Sequence, residues 1–219
     1  MDAGSLEVIY RGAEATLYKG VYAGIPAVFK IRHPKKYRHP LLDERIRRVR
    51  TLREARSLMD AREAGVPVPA VLLVEPEDAL LIMEHVEGIS LREQLGTIRG
   101  AEMSRIFRVL GRIAARLHRA GLIHGDFTTS NVLVTKSGKP VLIDFGLSTR
   151  SQRLEDMGVD VHVLLRSIES TIPEAAGEAY KAFLEGYRGE AGQRAAEEIA
   201  EKVREIRLRG RYVEERRRK

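Results

Sequence analysis

Ile123-His124-Gly125-Asp126-Phe127-Thr128-Thr129-Ser130-Asn131-Val132-Leu133-Val134, followed by Val141-Leu142-Ile143-Asp144-Phe145-Gly146, decides the reading of this chain. Two apolar, strand-like runs flank a polar loop, and a second apolar run ends in a carboxylate. That order brings Asp126, Asn131 and Asp144 toward one point. One carboxylate there can take or orient a proton. An amide oxygen and a second carboxylate can hold a hard divalent cation. Phosphoryl transfer needs this set, because its work is positioning a nucleophile and neutralising phosphate charge. Asn131 is the one asparagine among 219 residues, and cysteine and tryptophan are absent. A composition that avoids labile amides has kept one here. Asn often caps a turn and nothing more, but that role needs no pair of Asp residues at matching spacing.

Composition sets the bounds. At 219 residues the chain can build one or two lobes with a real core. No apolar run approaches the ~20 residues of a membrane span, and Met1-Asp2-Ala3-Gly4-Ser5 lacks the charged and apolar regions of a signal peptide. The absence of cysteine excludes disulfides and cysteine metal sites. The expectation is a cytoplasmic protein with no membrane contact. Depletion of Asn, Gln and Cys beside abundant Arg and Glu is a thermophile signature. The net charge of +7 is unevenly placed: residues 32–56 carry ten Lys/Arg against three Asp/Glu, and residues 202–219 carry nine against three. The remainder is an acidic body. Basic patches attract polyanions; a solvated helix face or chain end accounts equally well for either patch alone.

Asp126 and Asn131 stand in the D-x-x-x-x-N spacing of a kinase catalytic loop, and Asp144 stands in D-F-G. The preceding chain is consistent with that resemblance. Residues 6–10, 16–21 and 27–32 read as strands. Between the first two lies Gly12-Ala13-Glu14-Ala15, where a kinase covers nucleotide phosphates with a glycine-rich turn. Gly12 is the one glycine there, so the loop alone reads as a hairpin turn. Ala27-Val28-Phe29-Lys30-Ile31-Arg32 resembles V-A-I-K, which puts Lys30 on the α- and β-phosphates. In the helix expected over residues 41–64, Leu42, Ile46, Val49, Leu52 and Met59 recur at helical spacing among arginines. Glu54 is its candidate partner for Lys30. Glu44 competes, but an acid near a helix start suits the dipole. Gly65-Val66-Pro67-Val68-Pro69 ends the helix, and residues 71–74 and 80–83 read as strands.

Glu84-His85-Val86-Glu87-Gly88 reads as a connector between lobes, where a kinase bonds adenine through backbone groups. Met83 lines that pocket or simply packs in the core. Helices are expected over residues 91–95 and 102–120. The second buries Ile106, Phe107, Leu110, Ile113, Ala114 and Leu117, and Gly121 ends it. After Asp144-Phe145-Gly146 there is no long segment ending in A-P-E. A helix is expected from about residue 158; its Asp160 either holds the catalytic loop or is a first-turn acid. Residues 173–199 read as two further helices before the basic end.

The whole chain resembles the small atypical kinases of the KEOPS/EKC complex, the bud-site-selection kinase (PRPK) family. The matching stretches are Gly12-Ala13-Glu14-Ala15, the basic loop 35–38, Arg50-Thr51 with Glu54-Ala55-Arg56, Gly65-Val66-Pro67-Val68-Pro69, His124-Gly125-Asp126 with Thr128-Thr129-Ser130-Asn131, Asp144-Phe145-Gly146-Leu147-Ser148, Val159-Asp160 and Arg209-Gly210-Arg211. The resemblance implies an α+β, minimal two-lobed protein-kinase-like fold, with a β-rich N-lobe over residues 1–83, a hinge at 84–88, a reduced helical C-lobe over 89–201 and a basic tail at 202–219. It implies ATP and Mg2+ as cofactors. By carry-over, Lys30 and Glu54 form the phosphate-positioning pair and Asp126 orients a water or hydroxyl. Asn131 and Asp144 hold magnesium, residues 12–15 cover the phosphates, and Met83, Glu84 and Val86 sit at the adenine. It further implies a threonylcarbamoyl-transferase subunit on the C-lobe, a small KEOPS subunit on the N-lobe, and tRNA on the basic patches. The process implied is threonylcarbamoyl-adenosine modification of tRNA, with ATPase activity and serine/threonine phosphorylation both attributed to the family.

Three other readings compete. RIO-type kinases share H-G-D and a short activation region, but have I-D-x-x-Q in place of D-F-G and a Ser/Thr-rich phosphate loop. A small-molecule phosphotransferase needs a substrate-binding insertion that this length hardly allows. A catalytically idle scaffold for tRNA and the transferase has no need of Lys30, Asp126, Asn131 and Asp144 together.

Overall fold

A computed structural model describes residues 6–217, with side chains through Arg209. The chain opens with β1 (Glu7–Arg11), β2 (Ala15–Tyr22) and β3 (Ile25–Arg32), then α1 (Pro40–Glu63), β4 (Val71–Glu75) and β5 (Leu80–Glu84). These strands form one antiparallel sheet in the order β1-β2-β3-β5-β4. The β2–β3 hairpin turns on Ala23 and Gly24, both at positive φ (50° and 80°), the twist-matched two-residue turn. Pro40 starts α1, where its missing N–H costs nothing.

The apolar stripe of α1 faces outward. Leu41, Leu42, Val49 and Met59 are exposed, while Asp43, Thr51, Glu54, Ala55, Ser57, Leu58 and Ala61 are buried. The inner face carries polar and small residues because it serves a charged site as well as the packing against β4 and β5.

The second half contains β6 (Gly88–Ser90), α2 (Leu91–Gln94), α3 (Gly100–Arg119) and β7 (Leu122–Ile123). A 3-10 turn (Thr129–Asn131), β8 (Val132–Thr135), β9 (Pro140–Leu142) and β10 (Thr149–Arg150) follow, then α4 (Leu154–Thr171), α5 (Ala176–Ala191) and α6 (Gln193–Arg217). Strands β6-β8-β9 form one small sheet and β7 pairs with β10. The expected inner face of α3 is buried throughout. It meets α5 backbone to backbone: a Cβ on Gly111 would stand 1.9 Å from the Phe183 carbonyl oxygen, and one on Gly186 would stand 1.8 Å from that of Arg108. The five-stranded sheet with α1 and the helical second half give the expected mixed α+β, two-lobed architecture.

Two boundaries differ from expectation. Helix α4 begins at Leu154 rather than near residue 158. Gly158 lies inside it because α6 crosses there: a Cβ would come within 2.5 Å of Lys202 Cγ. The basic end is also no loose extension, since α6 runs from Gln193 to Arg217. Glu155 takes Lys202 and Arg209, Glu169 takes Arg207, and Glu201 takes Arg204. Arg211 lies outside the residues whose side chains are described.

Candidate active site

Alternation along β3 puts Lys30 and Arg32 on one face of the strand. Glu54, 1% exposed, reaches them from α1 and shares its carboxylate between the two cations: Oε1 lies 2.6 Å from Lys30 Nζ and Oε2 lies 2.5 Å from Arg32. Lys30 Nζ also donates to Asp144 Oδ1 at 2.8 Å. Burial alone would lower the lysine's pKa, but the two carboxylates outweigh it and hold it above its ordinary value. Burial likewise pushes the Asp144 carboxyl upward, and Lys30 more than reverses this, so its pKa lies below the usual range. Glu44, the competing candidate, borders a separate groove with Arg48 and Glu77.

The opposite wall is built on backbone. Ile143 N–H donates to the Asn131 carbonyl at 3.0 Å, which sets the loop asparagine beside the residue preceding Asp144. Asn131 Nδ2 donates to the Asp126 carbonyl (2.9 Å) and to Asp126 Oδ2 (2.8 Å). These bonds fix the amide's orientation and leave its Oδ1 free to act as a ligand. Asp160 Oδ2 accepts the His124 N–H at 2.8 Å and Oδ1 accepts the Gly125 N–H at 2.9 Å, so one buried carboxylate holds the loop. Of the two sequence readings of Asp160, loop anchoring is therefore the one realised.

His124 Nδ1 accepts from the Asp126 N–H and Nε2 donates to the Ile143 carbonyl, which assigns the tautomer. Burial pushes its pKa below the ordinary histidine value, so the ring is a neutral strut between loop and strand. Gly125 has φ 79°, and a Cβ there would stand 2.3 Å from the Leu147 carbonyl oxygen. The glycine of His124-Gly125-Asp126 is thus required both by conformation and by space.

Gly12, Ala13, Glu14, Ala15, Lys30, Arg32, Asp126, Asp144 and Gly146 line one cleft of about 310 Å³. Met83, Glu84 and Val86 are not among its lining residues. Met83 packs in the core, and Glu84 Oε2 accepts the Ala70 N–H at 3.1 Å. Sequence reasoning counted Arg32 in the basic patch and gave it no place in this site, although its position two residues after Lys30 signalled a shared face. Among the described residues no three His, Cys, Asp or Glu side chains form a metal cluster. One carboxylate and one amide oxygen instead suit Mg2+, which takes few protein oxygens and completes its shell with water and phosphates. In donor chemistry Asp144 and Asn131 fit that ion; Asp144 lines the cleft beside the buried Lys30, while Asn131 is not among its lining residues.

Known proteins resemble this chain in sequence and in fold. The RIO domain family matches residues 21–171, a match that begins after the loop over residues 12–15. The "KEOPS complex subunit Bud32" of Pyrococcus abyssi is 40% identical over 95% of this chain and 97% of its own length. A "Probable bifunctional tRNA threonylcarbamoyladenosine biosynthesis protein" of Methanothermobacter thermautotrophicus is 41% identical over 95% of this chain, which spans 37% of that longer protein. Among solved structures, the Rio2 kinase from Chaetomium thermophilum superposes with a TM-score of 0.62 over 92% of this chain and 73% of its own, at 18% identity. That last likeness speaks to the kinase-like fold alone.

Proposed function

The chain belongs to the Bud32 family of KEOPS/EKC complex subunits, with a RIO domain at its centre, and from that premise we propose an ATP-using, magnesium-dependent kinase or ATPase supporting threonylcarbamoyl-adenosine modification of tRNA. The observation that carries this reading is Lys30, bonded to both Glu54 and Asp144 in a cleft shared with Asp126. A buried ammonium held at that height can meet phosphate oxygens. Asn131 Oδ1 and Asp144 would hold Mg2+, which supplies charge neutralisation at the transferring phosphate. Asp126, steadied by Asn131, orients a water or hydroxyl and receives its proton. Residues 12–15 cover the phosphates, and the backbone at Glu84 and Val86, with Met83, would meet adenine.

The RIO-domain match and the Bud32 relatives describe different levels of kinship. Asp144-Phe145-Gly146 and a phosphate loop without Ser or Thr favour the Bud32 assignment over a RIO-type kinase. The short stretch between Gly146 and α4 leaves little platform for a peptide, which favours water or one dedicated protein hydroxyl as acceptor.

Partners follow the same premise. The exposed Leu41, Leu42 and Val49 on α1 suit a small subunit on the N-lobe, and the transferase subunit is assigned to the C-lobe. In the first basic patch Arg38 and Arg47 pair with Asp43, and Arg32 and Arg50 with Glu14, while Arg45, Arg53 and Arg56 make no ion pair among the described residues. The last three are the better candidates for tRNA phosphates. Among the described residues no helix is long and apolar enough to cross a membrane, and a cytoplasmic site of action suits this reading. Replacement of Asp144 by Ala is expected to abolish magnesium-dependent ATP turnover in a folded protein; unchanged turnover would overturn the assignment.

A further inference from the structure

The loop over residues 12–15 carries an acid where a nucleotide's phosphates, themselves anionic, are to be covered. Gly12 N–H closes the loop onto the Ala15 carbonyl at 2.9 Å, and His33 N–H donates to the Glu14 carbonyl at 3.0 Å. Lys35 donates to the Ala13 carbonyl. The Glu14 side chain is thereby turned toward β3 and α1. Arg50 donates to its carboxylate, and one terminal nitrogen of Arg32 lies 3.7 Å from the same oxygen. Arg50 beside it holds the Glu14 carboxyl below its usual pKa range, so it is a full anion at neutral pH.

Arg32 is 6% exposed, yet it borders the cleft with Lys30, Asp126 and Asp144. Its two arms differ. One is bound to Glu54 at 2.5 Å; the other faces Glu14 beyond hydrogen-bonding distance, so it is neutralised but not bonded. A cation in that state gains charge-assisted bonds by exchanging its carboxylate for a phosphate. Glu14 loses little in the exchange, because Arg50 remains with it.

We propose that Glu14 competes with the nucleotide's terminal phosphate for Arg32, and that Arg32 is the phosphate-binding cation it screens. This rests on the ATP-binding reading above. It makes Arg32 a second phosphate-facing cation beside Lys30, and it makes Glu14 a brake on triphosphate affinity.

The test compares dissociation constants for MgATP and AMP, by calorimetry at fixed ionic strength, in wild type and Glu14→Gln. Glu14 is largely solvent-facing, so this variant should fold. The expected result is MgATP binding tightened on the order of tenfold, with AMP unchanged, since AMP lacks the phosphates that compete. In an Arg32→Lys background, whose shorter head cannot make both contacts, MgATP binds more weakly and Glu14→Gln no longer tightens it. Equal shifts for both nucleotides, no shift, or weaker MgATP binding in Glu14→Gln would overturn the proposal while leaving the ATP reading intact. Failure of wild type to bind either nucleotide would defeat both.

Discussion

On the β3–α1 side of the cleft, Lys30 and Arg32 owe their positions to one buried carboxylate, Glu54, with Asp144 and Glu14 as secondary partners. On the opposite side, the loop that carries Asp126 and Asn131 is held through its main chain: Asp160 to two amides, Ile143 to Asn131, and a glycine packed against the Leu147 carbonyl. The first side is charge on side chains and tolerates rearrangement, because each cation has a second partner. The second side is backbone geometry, and a change there leaves buried groups unsatisfied. Adjustment therefore belongs to the Lys30–Arg32–Glu14 wall, and rigid presentation of Asp126 belongs to the loop.

This contrast can be broken from either side. The largest effect on stability is expected from Asp160→Ala, which strips the buried His124 N–H of its acceptor at about 1–3 kcal/mol and also releases the N–H of the more exposed Gly125. Thermal melting should fall by roughly 10 °C, and turnover should go with it. Gly125→Ala comes next: left-handed backbone and the collision with Leu147 together cost about 1–3 kcal/mol or more, read in the same melts. Glu54→Gln should invert the balance. Lys30 keeps Asp144 and Arg32 keeps Glu14, so the loss of stability stays below the ~3–5 kcal/mol of a buried charge left alone, while turnover falls roughly 100-fold through a misplaced lysine. If Glu54→Gln instead unfolds the protein and Asp160→Ala spares it, the contrast is wrong. Smallest is Glu155→Gln at the α4–α6 contact. It removes half-exposed pairs with Lys202 and Arg209 worth about 0–1 kcal/mol, so melting should move by no more than a few degrees and turnover should not change.

Much of this was legible in the sequence, for physical reasons that differ by region. The Asp126 loop could be read because D-x-x-x-x-N followed by D-F-G is a specific pattern, and the fold bonds Asn131 to Asp126 and, through its carbonyl, to the residue before Asp144. The inner face of α3 could be read because burial imposes a helical period. The same period marked the α1 helix but not its orientation, since much of its apolar stripe faces out; a helix that serves a charged site cannot be oriented by hydrophobic period alone. Asp160 stayed ambiguous because an acid in the first turns of a helix has an ordinary explanation, and only the fold brings it to the loop amides 35 residues away. Gly158 misled for the opposite reason, as a glycine needed by a crossing helix looks like a helix boundary. Glu14 stood in the loop that the resemblance singled out, but its pairing with Arg32 depends on long-range geometry that the sequence does not show.

The central claim is that the Asp126 loop and the Lys30–Glu54–Asp144 wall act together on magnesium-bound ATP. The most direct measurement is phosphate release from MgATP by wild type and by Asp126→Ala, each with and without a transferase subunit and tRNA, while following label transferred to protein. The account predicts turnover in wild type, as free phosphate or as phosphate on one dedicated protein hydroxyl, and a loss of about 10²–10⁴-fold in the variant. Equal release by wild type and variant would contradict it and leave the protein a scaffold.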